Sequence, residues 1–189
     1  MSNSWAYPVL HTVDVDRALG ALDRLLEIAD LRDVFLRACA RVGRVSGLPR
    51  YLDAFGHWTG AGGPGEMAVH DLSPLAEVAP HDPADPLVDV DLHVSGLGPV
   101  AELVRVAGPD PACLTWNIWG WPEVPELGLG PDVKHGYVGL TLNAMDLWGD
   151  QPADVHTVFL HTRRHEPQRA EWLAGRVGLT VVGPGEMGF

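Results

Sequence analysis

The chain has 189 residues, 46% of them hydrophobic and 20% charged, with 25 acids against 13 bases and a formal charge of −12. That size suffices for one compact domain, residues 1–189, burying about 70% of its unfolded surface, with no disulfide or metal needed to hold it. The acidic balance excludes nucleic acid and an anionic membrane as partners, because phosphate recognition draws on lysine and arginine.

Lys134 is the only lysine, a bias that reads as the composition of a GC-rich bacterium. Cys39 and Cys113 form no CxxC pair, which excludes a disulfide scaffold and a zinc ribbon and fits a reducing compartment. Met1 to Trp5 carries neither a basic nor an apolar leader region, and no apolar run is long enough to span a bilayer. A soluble cytoplasmic protein is expected.

Tyr7 to Val13 reads as a strand, and Asp14 then caps a helical pattern with Leu19, Leu22, Leu25, Leu26 and Ala29 on one stripe. Leu31, Val34, Phe35, Ala38 and Val42 form a second, offset stripe behind Asp30. The spacing predicts one stuttered helix or two helices meeting near Ala29 and Asp30. Pro49 can start a short helix through Phe55, and Gly60 to Gly65 reads as a loop, so the N-terminal part, about 14–57, is expected to be helical.

Strands are then predicted at Glu66 to His70, Leu87 to Val94, Cys113 to Trp119, Gly136 to Asn143, Asp154 to His161 and Leu179 to Val182. Helices are predicted at Pro99 to Ala107 and Pro167 to Val177. Two proline-rich connections, Ser73 to Pro86 and Trp121 to Pro131, are long enough to cover a site. The order predicts an α+β fold, a mixed, mainly antiparallel sheet with helices packed on one face. The repeat of Gly63-Pro64-Gly65-Glu66-Met67 at Gly183-Pro184-Gly185-Glu186-Met187 is read as reused turn chemistry, since the residues around the two copies do not align.

Three regions carry candidate chemistry. Alternation along Leu87 to Val94 puts Asp89, Asp91 and His93 on one face, where two carboxylates and an imidazole suit acid–base work or a divalent metal. A solvated outer face of an antiparallel sheet is written the same way. Neighbouring strands add Thr115, Asn117, Tyr137, Thr141 and Asn143, short polar groups suited to directional hydrogen bonds. Trp119 falls on the face of Asn117 and is the expected apolar wall of a pocket, while Trp116 belongs to the core. The third region runs from His156 through His161 to Arg163, Arg164 and His165, a basic island ahead of a helix that Pro167 starts. A strand end, two guanidinium groups and helix amides together make an anion site.

Several signatures are excluded or discounted. His161 and His165 precede their helix and no glutamate follows His161, so the zinc-protease motif fails. Gly96-Leu97-Gly98-Pro99-Val100-Ala101 imitates a dinucleotide fingerprint, but the strand before it alternates with charges, so no nucleotide cofactor is expected. P-loop and nucleophile-elbow motifs are lacking.

The expectation is a small-molecule enzyme of specialised metabolism doing acid–base chemistry, of cyclase, isomerase or hydrolase type, on a polar or anionic organic substrate. Asp89, Asp91 and His93 would be the catalytic groups; Asn117, Trp119, Tyr137, His156, His161, Arg163, Arg164 and His165 would bind ligand. The competing reading is an acidic interaction module, an immunity or antitoxin protein, meeting a basic protein partner through its acids and exposed Trp119 and Trp121. A homodimer is compatible with both.

Overall fold

The structure, a computed structural model, describes residues 4–32, 34–41, 67–69, 87–92 and 100–188. Strands β1 (Trp5–Thr12), β2 (Phe35–Arg41), β3 (Met67–Val69), β4 (Leu87–Leu92), β5 (Ala112–Trp121), β6 (Asp132–Leu142), β7 (His156–Thr162) and β8 (Glu186–Met187) make one sheet, in the order β3-β4-β2-β5-β6-β7-β1-β8. Every pairing among the described residues is antiparallel. Helices α1 (Val15–Ile28), α2 (Val100–Ala107) and α3 (Pro167–Arg176) contribute to a single core with one face of that sheet. The fold is α+β.

Helix α1 follows directly from the sequence. The Asp14 carboxylate accepts hydrogen bonds from the amides of Asp16 (3.0 Å) and Arg17 (3.1 Å), satisfying two groups that a helix start leaves open. Ala18, Ala21, Leu22, Leu25 and Leu26 repeat at helical spacing and are all buried. They pack on the face that carries Leu114, Trp116, Ile118, Val138, Leu140 and Leu160. Truncating Leu22 or Leu25 to alanine would cost about 2–5 kcal/mol by the usual scale for core leucines.

The second helical stripe is overturned, since Phe35–Arg41 is strand β2. Asp30 does not cap a helix. Its backbone joins the end of β5, donating to the Gly120 carbonyl (3.0 Å) and accepting from the Trp119 amide (2.8 Å), while its carboxylate holds Arg32. The chain is thereby delivered between β4 and β5, which satisfy the backbone of β2 from both sides. An interior strand gains two ladders, and that outweighs a helical apolar spacing that is only local.

The last predicted strand is also corrected. Leu179 to Val182 runs beside β1 with one backbone bond, from the Val182 amide to the Pro8 carbonyl (2.8 Å). Pro8 has no N–H to return, so no ladder forms there. Pairing with β1 resumes at Glu186–Met187. The expected helix at Pro49 to Phe55, the loop at Gly60 to Gly65, the Ser73 to Pro86 connection, His93 and residues 96–99 lie outside the described residues.

The turn between β5 and β6 builds the wall of the site. Val124 and Leu129 exchange backbone hydrogen bonds (2.8 and 3.1 Å) around a short 3-10 turn at Pro125–Leu127, with Gly128 in the left-handed region at φ +65°. At the strand ends Gly120 lets the two backbones close up: a Cβ there would stand 2.1 Å from the Asp132 carbonyl oxygen. Gly120→Ala should therefore lower stability by ~2 kcal/mol or more. Gly175→Ala, in open space on α3, should raise it by about 0.5–1 kcal/mol. Urea unfolding of the two variants checks the pair; a neutral Gly120→Ala would contradict the close approach.

Candidate functional site

Register brings the predicted polar positions into common rows. Asp89 pairs with Cys39, Cys39 with Cys113, Cys113 with Thr141, Thr141 with Thr157 and Thr157 with His11. A parallel row runs from Asn117 through Tyr137 to His161 and Ala6. Asp91 pairs with Arg37, which pairs with Thr115. Asp89 and Asp91 are thus placed by backbone register; their side chains, like His93, lie outside the described residues.

Where it is described, this face is closed over. The 143–153 loop folds across it, turned by the Asp146 carboxylate, which accepts from the amides of Trp148 (3.0 Å), Asp150 (2.9 Å) and Gln151 (2.7 Å). Burial works to raise the Asp146 pKa, but those amide bonds outweigh it and hold the carboxyl below its usual range. Leu147 then packs with Ala6 and Phe159. Cys113, Thr141 and Thr157 turn inward to carbonyls of the same loop: the Cys113 thiol (3.4 Å) and the Thr141 hydroxyl (3.3 Å) donate to Leu147, and the Thr157 hydroxyl donates to Ala144 (3.0 Å). His11 Nδ1 lies 2.9 Å from the Thr157 oxygen. Short polar residues here glue a loop to a sheet.

The remaining predicted residues divide sharply. His161 is fully buried, its Nδ1 3.2 Å from Ser4 Oγ and its ring edge-on to Tyr137 at 5.6 Å. Burial holds its pKa down to about 3, so the ring is neutral in the folded protein. His156 is half-buried and also lowered by burial, against the pull of Asp154 and Asp14; its Nδ1 accepts from the Asn143 amide (3.2 Å). Trp119 is partly buried under the Arg32 guanidinium, 5.1 Å from its ring. Asn117 is half-buried and Tyr137 buried. His165 is exposed, its ring tilted against Trp5 at 4.3 Å. Trp121, expected to be exposed, is 1% exposed and donates its indole N–H to the His161 carbonyl (2.6 Å).

Arg163 and Arg164 do line a cavity, of about 270 Å³, between the 128–133 turn and the start of α3. The sequence reading missed its other charged members, Asp132, Glu166 and Arg169. Asp132 opens β6 and is nearly buried; its Oδ2 accepts from the Arg163 amide at 2.9 Å. Burial raises its pKa, helped by the Glu166 charge and opposed by the Arg163 amide and by the Arg169 and Arg163 charges. Arg169 is 2% exposed and fully engaged, donating to Glu166 Oε2 (2.6 Å), the Pro122 carbonyl (2.9 Å) and the Gly130 carbonyl (2.6 Å). It therefore clamps both ends of the β5–β6 connection to α3 and builds the cavity wall. The Arg163 and Arg164 side chains are exposed and make no hydrogen bond or ion pair among the described residues. Arg169 had a visible signal in sequence, a basic residue one turn into a helix begun by Pro167; Asp132, thirty residues from the island, had none.

Among the described residues no group of three or more His, Cys, Asp and Glu side chains forms a metal site, and no helix is long and apolar enough to cross a membrane. No protein-family model, no curated protein and no solved structure matches the chain.

The buried imidazole gives a pH test. The unfolded chain takes up a proton near the ordinary pKa of 6.5 and the folded chain only near 3, so stability is complete above pH 6.5 and falls as pH drops through that window. The loss attributable to His161 should approach roughly 1 kcal/mol per pH unit. His161→Gln should flatten the acid limb of urea midpoints measured between pH 4 and 7; an unchanged slope would contradict a neutral buried ring.

Proposed function

We propose that the chain is a small-molecule enzyme of the acid–base kind. It holds a polar, anionic organic substrate in the cleft of Asp132, Arg163 and Arg164, and it passes a proton through the Asp132 carboxyl. One observation carries this reading: a desolvated carboxyl with a raised pKa shares a cavity with two exposed guanidinium groups that make no hydrogen bond or ion pair among the described residues. Oδ2 is held by the Arg163 amide, while Oδ1 makes no hydrogen bond among the described residues and is the oxygen left to take a proton. A raised pKa brings the acid and base forms closer in energy near neutral pH, which is what proton transfer requires. The guanidinium groups suit a carboxylate or phosphate on the substrate, held beside the C–H or O–H that Asp132 would deprotonate. Glu166 is neutralised by Arg169 and serves the wall.

The test uses the elementary act of such an enzyme. In deuterium oxide, with a panel of keto acids, dicarboxylates and phosphorylated carbonyl compounds, the protein should speed hydrogen–deuterium exchange beside the anionic group of at least one, read by proton NMR. Asp132→Asn should reduce that rate about 100-fold or more while substrate still binds. Arg163→Gln with Arg164→Gln should mainly raise the half-saturating concentration. The rate should fall as pH drops through the raised pKa of Asp132, where the base is protonated, whereas anion binding should tighten because a negative charge is removed. Absence of both exchange and anion-dependent shifts in the Arg163 and Arg164 amide signals would overturn the proposal.

A further inference from the structure

The chain has two cysteines, and the sheet sets them on the same rung. Cys39 of β2 and Cys113 of β5 are direct partners on neighbouring antiparallel strands, between the pairs Ala38 with Leu114 and Ala40 with Ala112. Directly opposed residues of an antiparallel pair project to the same face, with Cα atoms about 4.5 or 5.5 Å apart according to the type of rung. Both separations fall within the roughly 4.4–6.8 Å that a disulfide spans. The Cys39 side chain lies outside the described residues, so its place is given by backbone register.

The surroundings of Cys113 leave its sulfur able to react. It carries a thiol and is half-buried, and its only tie to the 143–153 loop is the long bond to the Leu147 carbonyl, 3.4 Å, from a weak donor. Gly149 brings that loop over the sulfur: it sits at φ +71°, and a Cβ there would stand 3.4 Å from Cys113 Sγ. The Leu147 carbonyl also accepts the Thr141 hydroxyl, so it keeps a donor when the sulfur turns away. The Thr157 bond to Ala144 does not involve Cys113 at all. A sulfur that is partly exposed, weakly held and opposite a second cysteine differs from a sealed structural one, which is inert.

We infer that Cys39 and Cys113 are a reversible redox pair, closing to a cross-strand disulfide at the expense of a small-molecule disulfide such as oxidised glutathione. The Cys113 thiolate attacks one sulfur of the small disulfide, forming a mixed disulfide and releasing a first small thiolate. Cys39, as a thiolate, then attacks the Cys113 sulfur and releases the second. In balance the two cysteines give up two protons and two electrons, and the small disulfide takes them to become two thiols. Opposition across one rung makes the second step intramolecular, so the mixed disulfide does not persist. A bond at the partly exposed Cys113 belongs with the readily reduced disulfides, and not with the buried ones that resist glutathione. Closing it takes the Cys113 donor from Leu147, which couples the pair to the loop that carries the exposed Met145 and Trp148. Cys113 stands near the start of β5, whereas Asp132 pairs with Trp121 at its end, so the pair is separate from the cleft.

The test incubates the folded full chain with oxidised and reduced glutathione in varied ratio, quenches with acid and reads the intact mass. As the ratio rises the mass should fall by two hydrogens, a non-reducing digest should join the Cys39 and Cys113 peptides, and dithiothreitol should restore the starting mass. Cys39→Ser should instead hold one glutathione on Cys113, and Cys113→Ser should form no internal link. The Leu147 carbonyl shares its peptide group with the Trp148 amide, so in a chain labelled with nitrogen-15 that amide signal should shift on oxidation and return on reduction. The wild-type mass and digest carry the test even if a serine variant fails to fold. An unchanged mass, a persistent mixed disulfide in the wild type, a link between two chains, or a link formed only in urea would overturn the inference. Neither the mass nor the Trp148 amide reports on proton exchange at Asp132, so this inference and the acid–base reading stand or fall separately.

Discussion

The central strands are buried on both sides, and that constraint sorts the polar residues of the described structure. Helices α1 to α3 cover one face, and the 143–153 loop covers much of the other. Desolvation leaves a buried polar group two outcomes, an internal partner or loss of its charge. Thr141 and Thr157 take the first course through the carbonyls of Leu147 and Ala144, and His161 takes the second. Strand interiors are thereby occupied with cohesion. Open, charged groups lie instead at the strand ends, where β6 begins and β7 stops.

At that end Arg169 does the structural work. A buried guanidinium is stabilising only if its donors are met, and here three are, by a carboxylate and by carbonyls on either side of the β5–β6 connection. The clamp holds Pro122 and Gly130 against α3 and so shapes the wall of the cavity. It also engages Glu166. The cleft then presents one desolvated carboxyl, held by the Arg163 amide, and two exposed arginines with no ion pair among the described residues, a combination whose sign favours an anion once the carboxyl is protonated.

The net charge of −12 therefore conceals two opposed local fields. One cavity gathers arginines at the head of α3, and a second, at the foot of α1, presents Asp23 and Glu27 beside Leu26, Leu31 and Val34. Both stand at the ends of strands that Gly120 and Asp30 bring together. Asp30 bonds to Gly120 and Trp119, and Gly120 lies hard against Asp132. The fold thus joins the two regions through a few backbone contacts without mixing their electrostatics.

Local pattern was enough for much of the architecture. The Asp14 cap and the leucine spacing specify α1, alternation along Cys113 to Trp119 puts Trp116 in the core, and Pro167 with the preceding arginines marks both α3 and the basic end of the Asp132 cavity. These features are legible because cap chemistry and side-chain period act over a few residues. The Leu31 to Val42 stripe is ambiguous at that range, since Leu36, Ala38 and Ala40 also alternate, and only neighbours on both sides make it a strand. Likewise Asp132 looks like any turn aspartate until Arg163 and Arg169 arrive from thirty residues away, and Trp121 looks exposed until the His161 carbonyl meets its indole. The sequence by itself determined α1, α3, most of the strands, the fold class and the basic island. Tertiary structure alone decided which polar groups are sealed and which face a cavity, because burial and charge pairing depend on what the rest of the chain brings alongside.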